Sequence, residues 1–250
     1  MPRALVFLAL VVGAGCSPVS RSLRPDGLEL VTLTHDNTNA VLVKKGDAAF
    51  LFDSGYEKNA DQLEADLRAL PFDPKQLKAI ILSHGHADHA GAAHVFHQKF
   101  GTPVVLGSGD EAMYGKGFNE PLCPTGFIAR SRLDTDQQAT FGGSVADVLV
   151  SEDVDLEPLT GIPGKVLHVP GHTKGSLVVS VGDVLLVGDL LRGDIVGFGA
   201  ETHFFMCDLE ENRRNIAALL RAHPKAQVVV VGHFGPVTPL AVRQHFEIND

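Results

Sequence analysis

The amino-acid sequence predicts a mixed α/β domain, α+β by layer, in which two sheets lie between helices as a four-layer αββα sandwich. Two observations predict it. Short apolar strands alternate with amphipathic helices along most of the chain. The order of strands, helix, strands and helix also gives two similar halves, each supplying a sheet and its helical cover.

Segments 28–34, 40–44 and 48–52 read as three successive strands, separated by turns at Asp36-Asn37 and Gly46-Asp47. Residues 59–70 place Leu63, Leu67 and Leu70 at helical spacing, and Pro71 stops the helix. The apolar strand 79–82 delivers the chain into a cluster of histidines, and a second helix over 90–100 and a strand over 103–106 follow. Residues 107–143 are rich in Gly, Pro and polar side chains and show no clear period, which predicts a partly helical excursion over a site. Strands resume at 145–150, 164–169, 176–181 and 183–187. Asp208 is placed to cap a helix over 209–222, which precedes the strand 226–231.

At 250 residues the chain fits one domain with a full core. Its formal charge of −9 and pI near 5.7 give no drive toward nucleic acid or anionic lipid, so a small-molecule substrate is the expected partner. Residues 1–15 read as an export signal: Arg3, then an apolar stretch too short for a membrane anchor, then Gly13-Ala14-Gly15. Gly13-Ala14-Gly15-Cys16 resembles the lipobox at which bacterial lipoproteins are cut and acylated, and Gly13 departs from its usual Leu-like residue. The expectation is therefore an exported protein of the cell envelope or periplasm, lipid-anchored through Cys16, with simple cleavage as the alternative. Residues 16–27 then read as a tether and 28–250 as the domain. Cys123 and Cys207 read first as two partly buried thiols, with pairing as the second reading, since a sequence does not show their Cα separation.

His84, His86, Asp88 and His89 put three imidazoles and a carboxylate within six residues, between an apolar strand and a helix. These are zinc-type ligands at a density that a polar surface loop rarely has. His172, Asp189 and His233 each follow a predicted strand and have a glycine directly before them, as tight turns beside a site require.

In this order and context the chain resembles the metallo-β-lactamase fold superfamily over most of residues 28–236. His84-Gly85-His86-Ala87-Asp88-His89 is similar to its His-x-His-x-Asp-His signature, and Pro170-Gly171-His172, Gly188-Asp189 and Gly232-His233 are similar to its later ligand motifs. The resemblance implies two Zn2+ per chain, one on His84, His86 and His172 and the other on Asp88, His89 and His233, with Asp189 bridging. It also implies a metal-bridging hydroxide as nucleophile, oriented by Asp88 as the catalytic carboxylate, and a supporting role for Asp53 beneath the metal loop. The implied activity is hydrolysis of a small ester, thioester or lactone.

Residues 234–250 are too few for the helical substrate-binding domain of glyoxalase II-type thioesterases, which lowers glutathione thioesters in rank. Asp189 argues against a dedicated β-lactam hydrolase, because the β-lactamase subclass with this signature generally lacks the bridging aspartate. Mono-iron persulfide dioxygenases share the signature and are the alternative from another reaction class, and a non-catalytic metal-binding envelope protein is the third reading. Lys174 and Arg192 are candidate contacts for a substrate carboxylate against an ordinary solvated role. His203 is a candidate proton donor or wall of the site, weighed against a histidine that merely precedes an apolar segment. His35, His94, His97, His168, His223 and His245 have no motif context and read as structural.

Overall fold

In the computed structural model, residues 19–197 and 199–248 are described, and the segment 1–15 expected to be an export signal, with Cys16, lies outside the described residues. Strands β1 (Val19–Leu23), β2 (Glu29–His35), β3 (Thr38–Lys45) and β4 (Ala48–Phe52) form an antiparallel meander. Helix α1 (Ala60–Ala69) then leads to β5 (Ile80–Ile81), the short helices α2 (Ala87–Ala90) and α3 (Ala93–Phe100), and β6 (Val104–Gly107). Helices α4 (Glu111–Lys116) and α5 (Phe127–Gln137) precede β7 (Val148–Val150), and β5, β6 and β7 extend the sheet from β4 in parallel.

The second half runs through β8 (Val154–Asp155), α6 (Glu157–Thr160), β9 (Lys165–His168), β10 (Leu177–Val181) and β11 (Val184–Gly188). A small hairpin of β12 (Arg192–Gly193) and β13 (Ala200–Glu201) leads to α7 (Leu209–Ala222), β14 (Val228–Val231) and α8 (Pro239–His245). The second sheet has the order β14-β11-β10-β9-β8, antiparallel except where β14 adds to β11 in parallel.

Alternation along the strands builds the layers, because successive side chains leave opposite faces of a sheet. From β3, Ala40 and Leu42 face the helices and pack with Leu63 and Leu67 of α1 and Phe96 of α3. Val41 and Val43 face inward and meet Val179, Val181 and Leu186 of the second sheet. On the far side, Val178, Leu185 and Val229 pack under Ile216, Leu219 and Leu220 of α7. The result is the predicted order of helix, sheet, sheet and helix.

The structure differs from the sequence reading in two places. The described part of the predicted tether is not a linker: Val19 to Leu23 pairs along β2, and Arg24 makes a two-pronged ion pair with Asp183, one arm at 2.9 Å. An edge strand is half exposed, so its Ser-Arg alternation looked like a polar connector. Segment 145–150, read as opening the second half, instead completes the first sheet through β7.

Candidate metal centre

Five of the predicted site residues emerge just past the carboxyl ends of strands. Asp53 follows β4, His84 follows β5, His172 follows β9, Asp189 follows β11 and His233 follows β14. Side chains on loops anchored by rigid strands hold their positions, which favours such a crevice as a site. The chain then folds back at α2, whose single turn carries Asp88 and His89 and has His86 at its N-cap. Gly232 is required by close approach: a Cβ there would lie 2.1 Å from Asp189 Oδ1 and 2.6 Å from His89 Cε1. Gly188 sits at φ +55°, where a side chain would also strike Ser83.

Hydrogen bonds fix which nitrogen of each ring faces the centre. Asp53 Oδ2 accepts from His89 Nδ1 at 2.9 Å and from the Ser83 hydroxyl at 2.8 Å. An ionised carboxylate only accepts, so the Ser83 proton goes to Asp53 and His84 Nδ1 donates to Ser83 Oγ at 2.8 Å. His172 Nδ1 donates to the Phe205 carbonyl and His233 Nδ1 to the Asn37 carbonyl, each at 2.9 Å. Nε2 of His84, His89, His172 and His233 therefore faces inward, with a lone pair wherever the ring is neutral.

These nitrogens converge on Asp189. Its Oδ2 lies 3.2 Å from Nε2 of both His89 and His233, 3.8 Å from His172 Nε2 and 3.9 Å from His84 Nε2. Asp88 Oδ2 lies 3.3 Å from His233 Nε2, and His172 Nε2 lies 3.0 Å from His86 Nδ1. His84 Nε2 and Asp189 Oδ1 are buried with no hydrogen-bond partner, a costly state unless a cation engages them. His84, His86 and His172 form one group able to hold a metal ion, and Asp88, His89, Asp189 and His233 form another. The donor set and its orphaned atoms fit divalent zinc.

The electrostatics divide the rings: three stay neutral, and two carry a proton that a bound metal would displace. Burial, reinforced by neighbouring imidazoles, holds His84 and His172 well below the ordinary histidine pKa, and burial brings His86 down to about 4. These rings stay neutral, as ligands must. For His89 and His233 burial acts the same way, but Asp189 and Asp88 outweigh it, raising His89 well above the usual value and His233 to about 10. Burial would raise Asp88 and Asp189, yet the surrounding imidazoles hold both below the usual carboxylate range.

The remaining candidates divide. His203 is buried with its Nε2 3.0 Å from Asp189 Oδ2, and together with His172 and Asp189 it makes a third group able to hold a metal, so the reading of it as a mere flank to an apolar segment is corrected. Arg192 points elsewhere: it lies 4.4 Å over the Phe204 ring and 3.7 Å from Glu201, away from the central cleft. Lys174 lies outside the central cleft but lines an adjoining hollow that reaches His86 and His172 and runs beside Cys123 and Cys207. Those two cysteines are joined in a disulfide, correcting the free-thiol reading, with their Cα atoms 4.9 Å apart. The six histidines without motif context are held in local contacts instead, such as His35 with Asp66 at 2.8 Å and His223 with the Leu219 carbonyl.

Two residues that the sequence did not single out brace the metal loop. Asp110 accepts from Gly85 N, Gly175 N and Thr173 Oγ1 at 2.7–2.9 Å, tying the first ligand loop to the His172 loop. Asn119 accepts from Ala87 N at 2.9 Å. Both lie in the aperiodic excursion and act on backbone, so no motif marks them.

The sequence profile described as the metallo-beta-lactamase superfamily matches residues 33–233. The chain is similar to the probable metallo-hydrolase YflN of Bacillus subtilis (strain 168), at 30% identity over 206 residues, covering 75% of this chain and 76% of that protein. It is also similar to the hydroxyacylglutathione hydrolase GloC of Haemophilus influenzae, at 28% identity over 179 residues, covering 67% and 76% respectively. Among solved structures, a metallo-beta-lactamase family protein from Thermus thermophilus aligns with a TM-score of 0.63 at 26% identity, covering 88% of this chain and 77% of that one.

Proposed function

The chain belongs to the metallo-beta-lactamase superfamily, and from that premise we propose that it is a dinuclear zinc hydrolase of small esters, thioesters or lactones. The observation that carries the reading is the convergence of two ligand groups on Asp189, one around His84, His86 and His172 and one around Asp88, His89 and His233. Bound zinc ions supply Lewis acidity and bring the pKa of water toward neutrality, making a nucleophile available at pH 7.

The chain's own residues do the rest. Asp88, held ionised by His89 and His233, accepts a hydrogen bond from the attacking water and aims it at the scissile carbonyl. Asp53, through Ser83 and His89, holds Nδ1 of two ligands as donors so that their Nε2 atoms face the metal position. His203 stands at the wall of the cleft beside Asp189, where it contacts the substrate.

Thioesters keep a full place in this reading. GloC is matched over 76% of its own length, which leaves at most a quarter of it for any separate binding region. The short segment after His233 therefore does not count against a thioester substrate. Export and lipid attachment at Cys16 complete the proposal, and loss of lipid labelling in Cys16→Ser tests them.

Metal analysis of the purified protein should find about two zinc ions per chain, and His84→Ala should lower both that content and turnover of an ester, thioester, lactone and β-lactam panel. One iron per chain with oxygen consumption on persulfide would replace this reading with the dioxygenase. Two bound metals with no turnover of the panel would favour the non-catalytic reading.

A further inference from the structure

We propose that the substrate is a neutral acyl compound with an apolar tail, and that the tail leaves the metal centre across Ile128, Ile195 and Phe204. This rests on the cleft being the substrate site, as in the function proposed above.

The cleft has a polar floor of metal-group residues, but one side of its rim is apolar. Ile128, in the first turn of α5, and Ile195, in the β12–β13 loop, line it at 49% and 50% exposure, with Leu122 and Phe204 between. Ile128 and Phe204 also line an adjoining hollow, in which Phe127 is 83% exposed. The apolar surface is thus continuous from the centre outward. Exposed apolar groups that converge on a cleft mark binding surface, whereas isolated ones need no explanation.

The charges exclude an anionic tail. Among the described residues lining the cleft, Arg132 is the one arginine or lysine, and its charge is offset by Asp136, which accepts from Nε and Nη2 at 3.0 and 3.1 Å. Arg192, at the adjoining hollow, is stacked on Phe204 and faces Glu201. The other acid at the rim, Asp36, is paired with Lys58 at 2.8 Å. Within the cleft itself, among the described residues, no arginine or lysine lacks an acidic partner, and the net charge of −9 adds a repulsive field for anions.

The test separates binding from turnover. Zinc-loaded protein is titrated with unreactive methyl ketones of four to nine carbons and with an eight-carbon ketone ending in a carboxylate. Each added methylene should tighten binding about two- to fourfold, the range expected for burying one CH2 group. The carboxylate-ended ketone should bind at least tenfold more weakly than its neutral counterpart. Ile128→Asp and Ile195→Asp, both at exposed positions, should each flatten the chain-length series while metal content and melting temperature stay at wild-type values.

A flat series in the wild type, a slope that both variants leave intact, or equal binding of the carboxylate-ended ketone overturns the proposal. A parallel series of p-nitrophenyl esters reads the reaction itself. If the ketones show the slope but no ester, thioester or lactone is turned over, the hydrolase reading falls and the apolar-tail site stands. If esters are hydrolysed with no chain-length preference, the reverse holds.

Discussion

Asp53 holds an unusual backbone position, φ +61°, at the end of β4, and its buried carboxylate serves three donors. Burial pushes its pKa up while His89 and Ser83 pull it down, so its ionisation depends on those partners. Partners that orient a ligand typically contribute 10–100-fold to metal affinity. Asp53→Ala should therefore weaken zinc binding by about that factor in chelator competition, with the far-UV spectrum unchanged; an affinity within threefold of wild type would reduce Asp53 to a packing role. Asp110→Ala should cost more in stability, about 2 kcal/mol, because three buried donors lose their acceptor. Chemical denaturation measures this, and a change below about 0.5 kcal/mol would show that water replaces the carboxylate. The candidate ligands were legible in the sequence because each is a metal-binding type, either clustered in the run 84–89 or set directly after a glycine past a strand. Asp110 and Asn119 were not, because their value lies in where the excursion folds, which no local spacing encodes.

Helix α7 was legible to its ends, 209–222, because two signals agree there: an apolar stripe through Ile216, Leu219 and Leu220, and Asp208, whose side chain accepts from Glu211 N at 2.8 Å. Asp208→Ala should cost about 1 kcal/mol, read as a lowered denaturation midpoint with an unchanged slope. Helix α5 was hidden for the opposite reason: Ala129 alone of its residues is buried, so it carries no apolar period. Its position is set from outside. The Cys123–Cys207 disulfide ties the segment before α5 to the segment before α7, next to His203 and to the Phe205 carbonyl that holds His172. A link spanning 84 residues restricts the unfolded chain by about 4.5 kcal/mol. Reduction, or Cys207→Ser, should lower the melting temperature by about 9–18 °C, and a shift under 2 °C would mean that the flanking contacts alone hold this segment.

The centre joins the two halves of the molecule. His84, His86, Asp88 and His89 come from the half built on the first sheet, and His172, Asp189 and His233 from the half built on the second. Between them lies the shared apolar layer in which Val41, Val43, Phe50 and Phe52 meet Val166, Val179 and Leu186. That layer drives the halves together, since burying apolar surface is the main favourable term in folding. At its open end the same contact crowds imidazoles and carboxylates, which protons on His89 and His233 hold together until a metal displaces them. Zinc bound there stabilises only the assembled state, because the unfolded chain does not bring the seven groups together. Raising free zinc from well below the dissociation constant to a hundred times above it should add about 2.7 kcal/mol for one site. In a chain of this length that is a rise of about 5–11 °C in melting temperature. Asp189→Ala, which removes the carboxylate on which the ligand nitrogens converge, should abolish most of that rise and also lower the metal-free melting temperature, because His89 and His233 lose their counter-charge. A zinc-dependent rise of wild-type size in Asp189→Ala would mean that the two halves are held at this end by the apolar layer and the remaining imidazoles, without the bridge that the geometry implies.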